Sequence, residues 1–173
     1  MTYRRTIFFT QLILLVLTGC QNASHEEYSI SQFIKTTSIR GSSFSPDESE
    51  ILFSSDETGV FNAYTISVNG GKTTALTTSI GNSIFATTFF PNDRRILYRS
   101  DQGGNEIWHI YLRNEDGSAK DLTSGENERA LFGGWAYDEK SFFYTSNRRN
   151  PKYMDVYEMD IETFKPTLIF NND

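Results

Sequence analysis

Two histidines, one cysteine and a few acidic turns are the residues from which any chemistry in this 173-residue chain would have to be built. Serine-based acyl transfer needs an exposed nucleophile, commonly within G-x-S-x-G, together with a histidine base and an acid. No such pentad occurs; His25 lies in a polar stretch and His109 lies within the strand-like run Trp108-His109-Ile110-Tyr111-Leu112. For His109 a strand histidine with satisfied hydrogen bonds is the expected role. Two isolated histidines and a single cysteine do not make a zinc set, and H-E-x-x-H is absent. Asp56-Glu57-Thr58-Gly59 and Asn114-Glu115-Asp116-Gly117 could offer oxygens to calcium. Both lack the alternating acidic spacing with a distal glutamate, so they read as hairpin turns. Gly103-Gly104 and Gly133-Gly134 precede no plausible helix and belong to no phosphate-loop pattern. Arg148-Arg149-Asn150-Pro151-Lys152 is a compact positive patch, read as a solvated loop with a carboxylate site as its rival. No catalytic, cofactor-binding or metal-ligating residue and no cofactor is therefore expected in this chain.

The cysteine, Cys20, has a different chemistry. Residues 1–5 are short and basic, residues 7–17 are apolar apart from Thr10 and Gln11, and Leu17-Thr18-Gly19-Cys20 follows at once. The apolar run is well short of the ~20 residues that cross a bilayer, and suits the core of a signal peptide. The tetrad resembles the bacterial lipobox, which implies cleavage before Cys20, a diacylglyceryl thioether on its sulfur and an acyl chain on its amine. Two or more acyl chains give stable membrane anchoring. Gln21 follows in place of the aspartate that holds lipoproteins at the inner membrane. The expectation is a cell-envelope protein, lipid-anchored, on the outer membrane if the host is Gram-negative.

The remaining elements must be positioned by a repeat. Phe44-Ser45-Pro46-Asp47 recurs as Phe89-Phe90-Pro91-Asn92 and Trp135-Ala136-Tyr137-Asp138. Ile51-Leu52-Phe53-Ser54-Ser55-Asp56 recurs as Ile96-Leu97-Tyr98-Arg99-Ser100-Asp101 and Phe142-Phe143-Tyr144-Thr145-Ser146-Asn147. Ala75-Leu76-Thr77 recurs as Asp121-Leu122-Thr123, with Thr167-Leu168-Ile169 as a degraded third copy. Each copy holds four short runs split by turn chemistry; in the first they are 38–44, 50–55, 62–68 and 73–77, and Asn69-Gly70 suits a tight hairpin. Four strands per repeat of ~45 residues is the signature of a propeller blade. The spacing predicts an all-β fold, a partial propeller of three four-stranded antiparallel blades forming an open arc.

Residues 1–19 are then the leader, 20–37 a lipid-anchored tether and lead-in, and 38–173 the blades, at about 38–80, 81–126 and 127–173. Residues 28–37 carry Ile30, Phe33 and Ile34 at helical spacing and fit a helical turn or an extended lead-in. Small residues in each first strand, Gly41-Ser42-Ser43, Ala86-Thr87-Thr88 and Gly133-Gly134, suit strands that converge on an axis. Phe53, Tyr98 and Tyr144 hold equivalent positions where blades should pack, and an uncovered end blade would expose its aromatics. Missing blades or self-association is therefore expected. A net charge of −6, more acidic still once Arg4 and Arg5 leave with the leader, argues against nucleic acid as a partner.

With these residues in place, the repeat resembles the TolB-type, WD-like propeller, the same repeat that forms the N-terminal propeller of prolyl oligopeptidase family serine peptidases. The Ser-Asp-x-x-Gly loops at 55–59 and 100–104 and the run Asp101-Gln102-Gly103-Gly104-Asn105-Glu106 carry the likeness. The resemblance implies a non-catalytic propeller gating access to a catalytic domain absent from this chain. The alternative it carries is a TolB-like envelope scaffold with a peptide or protein ligand on the propeller face. One departure bears on local geometry. The glycine usual after Pro-Asp is Glu48, Asp93 and Glu139 here, so those turns are expected to avoid positive φ. Substituting Cys20→Ser should abolish incorporation of labelled palmitate and leave an uncleaved or soluble precursor. Unchanged labelling and membrane partitioning would show that the anchor lies elsewhere.

Overall fold

Runs of five or six residues rich in Ile, Phe, Tyr and Leu, broken by Pro-Asp, Asp-Gly and Gly-Gly, set a strand–turn–strand rhythm. The computed structural model describes residues 27–173 and follows that rhythm. The stretch 1–19 read as a leader, Cys20 and His25 lie outside the described residues. The chain divides into two units between Thr36 and Thr37.

In the first unit the open choice at 28–37 resolves as a short helix, α1 (Ile30–Ile34). Its start is set by a capping box: Ser29 Oγ accepts from the Gln32 amide at 3.2 Å, and the Ser29 amide donates to Gln32 Oε1 at 2.9 Å. These two bonds satisfy free donors at the helix start, which an extended chain would not need.

The second unit holds three four-stranded antiparallel sheets, each a meander in chain order. The first is β1 (Ile39–Phe44), β2 (Glu50–Ser55), β3 (Asn62–Ser67) and β4 (Thr74–Ala75). The second is β5 (Ile84–Phe89), β6 (Ile96–Ser100), β7 (His109–Arg113) and β8 (Ala119–Asp121). The third is β9 (Ala130–Trp135), β10 (Ser141–Ser146), β11 (Asp155–Asp160) and β12 (Pro166–Phe170). None closes on itself, so the described strands form an open arc of blades.

Packing between sheets follows from strand alternation. Phe142 and Tyr144 of β10, with Met159 and Tyr157 opposite them on β11, pack against Phe90, Leu97, Ile110 and Leu112. On the other side of the middle sheet, Phe89 and Ile96 pack against Leu52 and Ala63. The middle sheet is thus apolar on both faces. Burying each of its large side chains stabilises by roughly 1.5–3 kcal/mol.

The aromatic positions in the second strands acquire a partner that spacing does not reveal. Phe53 stacks on Tyr64 with ring centroids 5.8 Å apart, Tyr98 on Tyr111 at 5.1 Å and Tyr144 on Tyr157 at 5.5 Å. Each pair is directly opposite in register on the second and third strands. Such a pair contributes about 0.5–1.5 kcal/mol beyond burial. Phe53 does not end as an uncovered aromatic: it is 8% exposed, and Tyr64 beside it is 3% exposed. Aromatics exposed in the end sheets stand at other positions: Phe44 of β1, Phe170 of β12, and Phe143, which lies on the opposite face of β10 from Tyr144.

Polar landmarks of the repeat are ties. Thr77 and Thr123 each accept, through Oγ1, a 2.9 Å bond from a third-strand amide, that of Ala63 and of Ile110. Asp56 and Asn147 accept from the amides of Ser38 and Arg129, both at 2.7 Å, and so fasten the chain entering the first strand. Between blades, Arg94 reaches from the β5–β6 turn to Asp47, Glu50 and Ser49 of the first sheet. Arg113 Nε donates to the Leu76 carbonyl at 2.7 Å. Crowding near the axis is real at Gly41, where a Cβ would sit 3.3 Å from the Ala86 carbonyl oxygen of the next blade. At Gly133 the crowding comes from its own sheet, the Phe143 carbonyl at 3.2 Å.

The Pro-Asp turns correct an expectation. Glu48 has φ 55° and Glu139 φ 60°, while Asp93 is not among the positive-φ residues. Glu48 and Glu139 donate their amides to the carbonyls of Ser45 and Ala136, closing a turn whose exit residue must adopt left-handed geometry before the second strand begins. Glutamate stands there at a cost of about 1–2 kcal/mol in backbone strain. Glu48→Gly and Glu139→Gly should each raise the urea unfolding midpoint, corresponding to a gain in unfolding free energy of up to about 1 kcal/mol once glycine's extra chain entropy is counted. Asp93→Gly should lower it, because that residue's φ needs no relief and its carboxylate holds Arg95 at 2.8 Å.

Candidate functional site

The first strands of the three sheets contribute to the lining of one cleft, and each carries one bulge. The register slips between Arg40 and Ser43 in β1, between Ala86 and Thr88 in β5, and where β9 crosses from Phe143 to Tyr144 of its neighbour. An extra residue re-aims the side chains before it relative to those after it. Equivalent positions before the bulge are Arg40, Phe85 and Leu131, paired across strands with Ser54, Arg99 and Thr145. Arg40, Phe85, Arg99 and Leu131, with the backbone near Gly41, Ala86 and Ala130, line a cleft of ≈ 300 Å³.

Aromatic rings order the charges at its rim. Phe61 and Phe85 lie with centroids 4.8 Å apart, and Trp108 meets Phe85 edge-on at 5.5 Å. The Arg40 guanidinium carbon stands 5.0 Å from the Phe61 centroid and 6.0 Å from that of Phe85. That of Arg99 stands 5.4 Å from Phe85 and 5.1 Å from Trp108. Contacts of this kind contribute about 0.5–1 kcal/mol each at exposed sites, and they fix a guanidinium without occupying its N–H groups. Among the described residues neither arginine has a carboxylate partner, whereas Arg94, Arg95, Arg148 and Arg149 all do. The cleft can therefore present two oriented, unneutralised cations.

The residues singled out from the sequence lie elsewhere and serve the fold. His109 is 9% exposed, with Nδ1 2.7 Å from Asp121 Oδ2, and its ring stacks on Tyr111. This ties β7 to β8. The two acidic turns are hairpin turns: Gly59 donates to the Asp56 carbonyl and Gly117 to that of Asn114. Gly103 and Gly104 both have positive φ within a loop. In the positive patch, Arg148 lies 3.8 Å from Glu128 and over the Tyr157 ring, and Arg149 bonds Asp155 at 2.7 and 2.9 Å. Both guanidiniums of that loop are thus used internally. Burial pushes the Tyr98 hydroxyl up to about 12, in keeping with a structural ring.

Sequence reasoning missed Arg40, Phe61, Phe85, Arg99 and Trp108. The available signal was positional, since Arg40 and Phe85 fall one repeat apart, but their meeting depends on neighbouring blades.

The chain matches the family described as the TolB beta propeller domain over residues 6–171. It belongs to that family. The propeller is 26% identical over 132 residues, 75% of its length, to a protein named dipeptidyl aminopeptidase BIII from Pseudoxanthomonas mexicana. It spans 19% of that relative's length. Among solved structures it resembles TolB from Acinetobacter baumannii, with TM-score 0.59 and 22% identity over 76% of this chain and 32% of that one. It also resembles a structure from an analysis of two prolyl endopeptidases, with TM-score 0.60 and 12% identity over 77% of this chain and 22% of that one.

Asp155 gives the propeller a pH signature. Its side chain is fully buried, and Arg149, the Asn172 amide and the Tyr157 hydroxyl all stabilise the charged form. The Arg149 guanidinium is the largest of these causes, and the carboxyl is held well below the usual range. A depressed folded-state pKa adds stability that is present above about pH 4 and lost as pH falls below it. Asp155→Asn should therefore unfold at lower urea than the parent at pH 7, with the gap narrowing as pH drops from about 5 toward 2. A gap of constant size across that window would show that the charge of Asp155 is not what stabilises the loop.

Proposed function

We propose that this chain is the non-catalytic propeller portion of a lipid-anchored prolyl oligopeptidase-like peptidase, whose catalytic domain lies outside these 173 residues. The observation that carries the reading is the 26% identity, over 75% of the chain, to a protein whose name is that of an aminopeptidase. In this arrangement the blades perform no bond cleavage. They form a wall that admits extended or short peptides to the catalytic centre and excludes folded proteins. The sequence contains no G-x-S-x-G, and among the described residues the one histidine, His109, is bonded to Asp121; both accord with such a division of labour. Lipidation at Cys20 would hold the assembly in the cell envelope, on the outer membrane in a Gram-negative host.

A TolB-like envelope scaffold is the second reading, favoured by the likeness to TolB and by the family match. The two differ in what surrounds the propeller. An antibody against the blades, applied to membranes of the source organism, should under the first reading detect a species far larger than the 19.8 kDa of this chain. A fluorophosphonate probe should label that species on serine. Detection of an unlabelled propeller-sized species alone would favour the scaffold and overturn the peptidase assignment. The 173-residue chain itself should take up no fluorophosphonate.

A further inference from the structure

We propose that the cleft between the three first strands is a carboxylate-binding subsite, in which Arg40 and Arg99 grip an acidic group of a bound peptide. This deepens the proposed function and rests on its premise that the blades admit peptides.

The other arginines of the blades, Arg129 apart, are held by groups of the chain itself. Arg94, Arg95, Arg148 and Arg149 are each neutralised by a carboxylate, and Arg113 donates to two backbone carbonyls. In an acidic chain, acids to pair with are plentiful. Arg40 and Arg99 nevertheless have no such partner among the described residues, and they converge on the same ring, Phe85. Phe61 and Trp108 extend that platform on either side. A guanidinium stacked on rings loses side-chain freedom in advance, so less entropy remains to be lost when it binds an anion. Its N–H fork matches a carboxylate in two parallel bonds.

Size and field select the ligand class. A cleft of ≈ 300 Å³ is at the lower end of small-molecule sites and holds one residue or chain end, not a folded surface. The net charge of −6 repels polyanions such as nucleic acids over distance, while a single carboxylate meets the two local cations. Leu131, 44% exposed at the equivalent position of the third blade, offers an apolar neighbour to the residue carrying the acid. A peptide has two sources of carboxylate, its C-terminus and its Asp or Glu side chains, and both present the same chemistry to the site.

The test uses the processed lipoprotein, solubilised from membranes in mild detergent, and measures binding by calorimetry with Trp fluorescence in parallel. Three probes separate the sources: acetyl-Ala-Ala-Ala with a free C-terminus, acetyl-Ala-Glu-Ala-amide with only a side-chain acid, and acetyl-Ala-Ala-Ala-amide with neither. At least one acidic probe should bind at or below about 1 mM and the neutral amide should not. Raising salt should weaken binding. Arg40→Gln with Arg99→Gln should weaken it at least tenfold with an unchanged circular dichroism spectrum, and the two lysine replacements should restore it only in part. Arg129→Gln, a cation outside the cleft, should leave binding unchanged. Equal binding of the neutral amide, unaltered affinity in the double variant, or binding of inorganic phosphate with no acidic peptide would each overturn the subsite. Because nothing here depends on hydrolysis, its failure is separable from failure of the peptidase reading, which stands on the serine-labelled larger species.

Discussion

A sheet with two apolar faces cannot stand alone in water, and the architecture of this chain depends on that constraint. The middle sheet presents Leu97, Ile110 and Leu112 to one side and Ile96 and Phe89 to the other. Both sides are met by another sheet, so burial is satisfied only by stacking. Hydrophobic burial supplies attraction without direction, and direction comes from polar ties. The Arg94 clamp onto Asp47 and Glu50 and the bond from Arg113 to the Leu76 carbonyl fix how one blade sits on the next.

The fold was legible because the repeat carries its signal three times. The Leu-Thr ending is kept in two copies, and there its threonine closes the blade by accepting a third-strand amide. Ser-Asp and its Thr-Ser-Asn counterpart mark the loop that fastens the incoming strand. Each of these bonds is made within one repeat, at a spacing that recurs. The helical turn at Ile30–Ile34 was legible too, had Ser29 and Gln32 been read as a capping pair.

What escaped reading was geometry that spans repeats or reverses a residue's preference. Glu48 and Glu139 occupy left-handed backbone that their residue type disfavours, whereas Asp93 at the equivalent place does not, so the repeat alone does not set the conformation of this turn. The arginine–aromatic platform joins Arg40, Phe61, Phe85, Arg99 and Trp108 from two different blades, and no spacing rule within one repeat brings them together. The positive patch at Arg148 and Arg149 looked free in sequence, while the structure gives both cations internal carboxylates.

The bulge shared by β1, β5 and β9 has a consequence for how such a protein can change. Side chains alternate along a strand, so one added residue breaks the phase between its two halves. The half beyond the bulge, with Phe89 and Trp135, packs into the blades. Before it, Arg40, Phe85 and Leu131 line the cleft, while Ile84 and Ala130 beside them pack into the blades. Substitutions at the three cleft-lining positions Arg40, Phe85 and Leu131 are thereby separated from the packed residues beyond the bulge. A lineage can rewrite the lining of the arc, residue by residue, while the stacked sheets beneath it keep the same sequence constraints.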